Sequence, residues 1–152
     1  MVNVRPPKLY HLPFSRSEVV GENTKSFKTQ EDFVFEVGQY LTIRLPGISD
    51  PRGEVRQFSI SLSPTETGEI SITTTVEPED SPFKNTLNSL KAGQLVEIRA
   101  PLGRFVVEPT ESLNSSYSWR NWRHPFRSII KWSIDTRANY EILLIHSAKK
   151  IS

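Results

Sequence analysis

The sequence predicts an all-β fold for residues 1–112, in the form of an antiparallel barrel or sandwich with one short helix. Short runs in which apolar and polar residues alternate recur along this part, and turn-forming residues separate them. Only one stretch carries helical signals. A closed sheet would also leave fewer strand edges exposed to other chains.

The predicted strands follow one another at short intervals. Residues 1–13 contain three prolines and are expected to form an extended lead-in rather than a helix. The triplet Gly21-Glu22-Asn23 is typical of a turn between the first two strands, and Gly68-Glu69 begins another turn. The predicted strands are 15–20, 24–29, 40–45, 56–63, 70–76 and 95–100.

The stretch Arg56–Pro64 is the most informative of these strands. Apolar residues occupy every second position from Phe58 to Leu62, which predicts a half-buried strand that ends at the proline. The first four residues of this strand supply a cation, an aromatic ring and a hydroxyl, from Arg56, Phe58 and Ser59. This trio suits a ligand with a phosphate, a flat ring and a polar ring edge. The alternative is a rim arginine, a core phenylalanine and a solvated serine.

The predicted helix covers Ser81–Leu90. Ser81 is suited to the N-cap and Pro82 to the first turn, and the apolar residues that follow share one face. The start of such a helix favours a phosphate, and Lys84 would add a positive charge. An ordinary capped connector helix is the alternative.

Composition excludes several kinds of site. The chain has no cysteine, so thiolate metal sites and iron–sulfur clusters are excluded. Its three histidines lack ligand spacing, and the acidic run Glu77–Asp80 is typical of a surface turn, so we expect no metal site. No apolar run is long enough for a membrane span or a signal peptide, which predicts a cytoplasmic location.

Four motifs in the same order resemble the ferredoxin reductase-type FAD-binding domain. Arg56-Gln57-Phe58-Ser59 resembles that family's Arg-x-Tyr/Phe-Ser motif. Gly38-Gln39-Tyr40-Leu41 is similar to its Pro-Gly-Gln-Tyr entry to a strand, although Val37 stands in place of the proline. The segment from Ser81 to Gly93 resembles its phosphate-side helix and turn, and Pro101–Phe105 resembles its closing Gly-Pro-x-Gly-x-Phe.

The resemblance implies a six-stranded antiparallel Greek-key barrel that holds FAD at its outer edge. Arg56 would contact the pyrophosphate, Phe58 would stack on the flavin or its ribityl chain, and Ser59 would approach the redox-active ring nitrogen. Backbone groups of one strand would face the ring, and the helix start would lie by the phosphates. The implied cofactor-binding residues are Arg56, Gln57, Phe58, Ser59, Ile72, Thr73, Thr74, Ser81, Phe83 and Lys84.

Residues 113–152 differ in composition and hold seven Lys/Arg against two Asp/Glu. Enzymes of this family continue into an NAD(P)-binding domain with a glycine-rich phosphate loop, yet no glycine follows Gly103 here. Ser118–Pro125 occupies the expected place and contains Trp-x-x-Trp, which a one-base frame shift would convert to Gly-x-x-Gly. A helix from Phe126 and a strand over Tyr140–Ile145 resemble what should follow. We therefore expect a partial NAD(P)-binding α/β segment over residues 113–152.

The resemblance implies the FAD-binding module of a flavin-dependent NAD(P)H oxidoreductase. Such a protein moves electrons from NAD(P)H through the flavin to a redox carrier or acceptor protein, and the cofactor carries the chemistry, so no catalytic side chain is expected. Because Ser118–Pro125 replaces the glycine-rich loop, we expect at most weak reduction of the flavin by NAD(P)H. The alternative is a non-catalytic binding module whose basic aromatic tail contacts an anionic partner. We expect no nucleic-acid partner.

Overall fold

The computed structural model describes residues 6–29, 34–103 and 123–138. They form six strands and two helices. The elements are β1 (Lys8–Gly21), β2 (Thr24–Thr29), β3 (Tyr40–Arg44), β4 (Val55–Ser59), β5 (Ile70–Thr75), α1 (Pro82–Asn88), β6 (Leu95–Leu102) and α2 (Arg123–Asp135). In this described part, neither helix is long and apolar enough to cross a membrane. The predicted strand over 140–145 and most of the segment 118–125 lie outside it.

The six strands form one antiparallel sheet in the order β4-β3-β6-β1-β2-β5. Neighbours in this sheet are mostly not consecutive in the chain, as in a Greek key, so the predicted all-β architecture is confirmed. The sheet does not close fully into a barrel. Its edge strands β4 and β5 meet through an isolated bridge between Ile60 and Ile72, beside which Ser61 N donates to Ser71 O over 2.8 Å.

The first strand is longer than predicted. It begins at Lys8 rather than at residue 15, because its first half pairs with β6 from Lys8 opposite Ala100 to Pro13 opposite Leu95. Its second half pairs with β2. The partner strand that makes residues 8–13 part of a β-strand lies far along the sequence, so the local pattern did not predict it.

The fourth strand is shorter than predicted. It ends at Ser59 instead of running to residue 63, and the alternation of buried and exposed residues fails beyond it. Ser61 and Ser63 are only 2% and 0% exposed, since each hydroxyl finds a partner inside the protein. Ser61 Oγ donates to Ser71 O over 2.9 Å, and Ser63 Oγ lies 2.7 Å from Thr65 Oγ1. A buried hydroxyl is tolerated when it is hydrogen-bonded. The serines that alternate with the apolar residues therefore do not lie on a solvent-exposed face.

The core lies between the inner face of the sheet and α1. Phe83 and Leu87 of α1 are fully buried against apolar residues of the strands, and Ser81 caps the helix as predicted. The sheet's buried apolar residues include Leu12, Phe14, Phe27, Leu41, Ile43, Ile60, Ile70, Ile72, Val96 and Ile98. Helix α1 ends at Asn88, two residues before the predicted end at Leu90.

Helix α2 confirms the predicted helix after residue 126 and packs on the outside of the barrel. Ile129 is buried with Val37, and Phe126 packs against this pair. Several polar contacts join α2 to the segment after β4. Among them, Arg127 NH1 donates to Ser61 O over 2.9 Å, and Ser128 Oγ donates to Leu62 O over 2.6 Å. Val37, which replaces the family's proline, therefore belongs to the surface that receives α2.

Candidate cofactor site

Residues from β4 and α1 come into contact at the end of the sheet. The ring centroids of Phe58 and Phe83 are 6.1 Å apart, and the Arg56 guanidinium carbon lies 5.2 Å from the Phe83 centroid, a cation–π geometry. The ring of Phe83 is fully buried, whereas Phe58 is half-buried at the rim of the core. Phe58 therefore keeps an accessible part, and Phe83 lies beneath Arg56 and Phe58 as their support.

The Arg56 side chain is only 12% exposed and is held by several acceptors. Its NH1 lies within 2.8 to 3.0 Å of the carbonyl oxygens of Arg52, Gly53 and Val55. Its NH2 donates to Asp50 Oδ1 over 2.6 Å. A guanidinium has five N–H donors. Among the described residues, no acceptor is found for its Nε–H or for the second NH2 hydrogen.

Asp50 is a site residue that sequence reasoning missed. Its side chain is 1% exposed and accepts from Arg52 N at 2.8 Å, Arg56 NH2 at 2.6 Å and Phe83 N at 3.1 Å. The hydrogen bond from Arg52 N is the main cause that lowers the pKa of Asp50, helped by Phe83 N and Arg56 and opposed by burial. In the sequence, Asp50 precedes Pro51-Arg52-Gly53 and resembles an ordinary turn residue, so only the fold reveals its position.

Ser59 and β5 border the gap in the sheet. Ser59 is half-buried, and its hydroxyl has no hydrogen-bond partner among the described residues. Strand β5 pairs with β2 along one edge. Ser71 O faces Ser61 on the other edge, and alternate residues direct their backbone groups the same way, so Thr73 and Thr75 also face the gap. Ile72 and Thr74 are buried and direct theirs toward β2.

The polar groups at the start of α1 find most of their hydrogen-bond partners within the protein. Lys84 N donates to Ser81 Oγ over 3.4 Å, and Lys84 Nζ lies 3.1 Å from both Asp80 Oδ1 and Thr75 Oγ1. The Lys84 charge is thus paired with a carboxylate, like that of Arg56. Gln57 is exposed on the face of β4 opposite Arg56 and Phe58. The structure therefore brings Arg56 and Phe58 of β4 into contact with Phe83 of α1. Gln57 and Ser59 lie on the other face of β4, and the backbone groups of Ile72 and Thr74 are directed toward β2 rather than toward the gap as predicted.

The Greek-key order of an incompletely closed six-stranded sheet places this chain among the small antiparallel β-barrel folds. The chain belongs to the oxidoreductase FAD-binding domain family, which matches residues 11–107. The resemblance predicted from the four motifs is therefore confirmed. The family favours flavin binding over the alternative of a non-catalytic binding module.

Three similar proteins place the chain in context. The glycine betaine monooxygenase reductase subunit of Pseudomonas aeruginosa is 29% identical over 119 residues, which are 77% of this chain and 32% of that protein. Phthalate dioxygenase reductase has a similar structure, with a TM-score of 0.66, 15% identity and coverage of 87% of this chain and 41% of that one. Flavohemoglobin from Malassezia yamatoensis gives a TM-score of 0.62 at 13% identity, covering 88% and 36%. The chain thus spans about a third of the length of the curated relative.

Proposed function

We propose that this chain binds FAD and acts as the flavin-binding part of an NAD(P)H-dependent reductase that passes electrons to an acceptor. The observation that carries the proposal is the contact of Arg56 and Phe58 with the buried ring of Phe83. Bound FAD would supply the redox chemistry, accepting electrons in pairs and releasing them singly. The side chains of this domain bind and orient it, and none has to move a proton.

Each part of the site suits one part of FAD. The free N–H groups of Arg56 can donate to two pyrophosphate oxygens. The accessible part of the Phe58 ring can pack on the flavin or its ribityl chain. By the family motif, Ser59, on the other face of β4, would approach a ring nitrogen, and the Thr73 carbonyl would face the ring from β5. Ser81, Phe83 and Lys84 would line the phosphate side, Phe83 as the buried support of Arg56.

The proposed partners follow the relatives. The relative from Pseudomonas aeruginosa is the reductase subunit of glycine betaine monooxygenase, and phthalate dioxygenase reductase transfers electrons from pyridine nucleotides to a [2Fe-2S] centre. We propose NAD(P)H as the electron donor and a redox carrier or oxygenase protein as the acceptor. Helix α2, which follows the expected place of a nucleotide loop, supports a partial NAD(P)-binding segment over residues 113–152 after a barrel over residues 1–112.

The proposal is tested by the absorbance spectrum of the purified chain after incubation with FAD and desalting. We expect retained flavin bands in the wild-type chain and their loss in the double variant Arg56→Ala, Phe58→Ala. Arg44→Ala is the matched control, since Arg44 lies on the neighbouring strand, is exposed and pairs with Glu54 and Glu97. A folded wild-type chain that retains no flavin would contradict the proposal.

A further inference from the structure

One buried carboxylate holds the guanidinium of the candidate site. Asp50 Oδ1 accepts from Arg56 NH2 at 2.6 Å and from Arg52 N at 2.8 Å, while its Oδ2 accepts from Phe83 N at 3.1 Å. The two backbone N–H groups come from the loop before β4 and from the first turn of α1. They fix the carboxylate on both sides, and the carboxylate in turn fixes Arg56.

Asp50 does not contact a ligand itself. Its side chain is 1% exposed and lies behind Arg56, which is 12% exposed and faces the site. We propose that Asp50 is a positioning residue that presets the Arg56 guanidinium to receive the FAD pyrophosphate. The inference rests on the proposed function, because it assigns Asp50 a role toward the same ligand.

The role depends on the acceptor chemistry of a carboxylate. All three groups that converge on Asp50 are donors, and a carboxylate only accepts. An asparagine has one acceptor oxygen and an amide that donates, so at least one of the three donors would face an N–H group whichever way the side chain turned. The guanidinium would also lose its countercharge and be free to leave its carbonyl contacts for water. FAD would then have to reorder Arg56 on binding, which weakens affinity.

A second effect of Asp50 would weaken FAD binding rather than strengthen it. Its negative charge also lies near the place proposed for the pyrophosphate, and Coulomb repulsion would weaken FAD binding in the presence of the carboxylate. If repulsion were the main effect, Asp50→Asn would bind FAD more tightly. Positioning predicts weaker binding, so the sign of the change separates the two roles.

The experiment is a double-mutant cycle on FAD affinity in the full chain. The Kd for FAD is measured by quenching of flavin fluorescence for the wild type, Asp50→Asn, Arg56→Gln and the double variant. We expect Asp50→Asn to weaken binding about tenfold, a size typical of residues that orient a binding group. Arg56→Gln and the double variant should agree within about twofold, because Asp50 acts through Arg56.

Glu54→Gln is the matched control. Glu54 lies in the same loop and also pairs with an arginine, but that arginine is Arg44, outside the site. This variant should bind FAD like the wild type. If Asp50→Asn fails to fold, the comparison of Arg56→Gln with the double variant decides, because the double variant removes both members of the buried pair together.

The outcomes separate the two proposals. A wild-type chain without measurable FAD affinity overturns the proposed function, and the role of Asp50 with it. A wild-type chain that binds FAD, with equal or tighter binding by Asp50→Asn, overturns only the role of Asp50. A double variant that binds much more weakly than Arg56→Gln also overturns that role, since Asp50 would then act independently of the guanidinium.

Discussion

Gly103 shows how a single residue adjusts the end of β6 to the entry of β3. Its φ is +89°, and a Cβ built on it would lie 2.8 Å from two ring carbons of Tyr40. Gln39 Nε2 donates to Gly103 O over 3.1 Å beside this contact. The motifs Gly38–Leu41 and Pro101–Phe105, which are far apart in sequence, therefore meet here. Glycine is required both by the backbone conformation and by the close approach of the ring.

We expect Gly103→Ala to lower the free energy of unfolding by ~2–3 kcal/mol, because it adds overpacking against Tyr40 to backbone strain. Gly47→Ala is the control, since Gly47 has a φ of +79° but nothing within 4 Å of a built Cβ, so it should lose only ~1 kcal/mol. Urea unfolding measures both values. Equal losses would show that the Tyr40 ring moves aside freely.

At the scale of elements, α2 is held to the barrel by an ion pair as well as by apolar packing. Arg127 NH1 and NH2 donate to the two oxygens of Glu66 over 2.8 and 2.9 Å. The hydrogen bonds from Arg127 are the main cause that lowers the pKa of Glu66 from its ordinary 4.5, against the effect of burial. The same arginine contacts Ser61 O, so α2 is joined to the segment that follows Ser59.

The ion pair predicts a pH-dependent loss of stability. Since the pKa of Glu66 is lower in the folded chain, its stabilising contribution is full above the ordinary value of 4.5 and is lost as the pH falls below it. We expect Glu66→Gln to cost ~1 kcal/mol of unfolding free energy at pH 7 and much less at acidic pH, where wild type and variant converge. Urea unfolding across this pH range measures the difference, and a constant difference would contradict the assignment to Glu66.

The sequence predicted best those strands whose bounds depend on neighbouring residues in the chain rather than on contacts with distant ones. Strand β2 has the predicted bounds because the turn-forming triplet Gly21-Glu22-Asn23 precedes it in the sequence. The end of β4 could not be predicted, since Ser61 is buried only because Ser71 lies opposite it. For the same reason Asp50 was missed: the backbone N–H of Phe83 that it accepts from lies 33 residues further along the chain. Local pattern predicts elements, whereas such long-range pairs depend on the assembled fold.

For the whole molecule, the open side of the sheet is the feature with the clearest dynamic consequence. Only an isolated bridge between Ile60 and Ile72 joins β4 to β5 in the described residues, while β5 is paired with β2 along its full length. The backbone groups of β5 that are directed toward the gap therefore make few hydrogen bonds. Those directed toward β2 are hydrogen-bonded along the whole strand. Thr75 and Thr74 are neighbours that differ in this respect, so they form an internal comparison.

We expect the Thr75 amide to exchange its hydrogen with solvent faster than the Thr74 amide in the ligand-free chain. If FAD binds in the gap, it should slow exchange at Thr75 much more than at Thr74, because only the Thr75 amide is directed toward the gap. Amide exchange followed by NMR with and without FAD measures this, and β1 amides paired with β2 are a control that should change little. Protection confined to another part of the sheet would place the ligand elsewhere, even if the chain retains flavin. The exchange pattern thus locates the cofactor, which a binding constant alone does not.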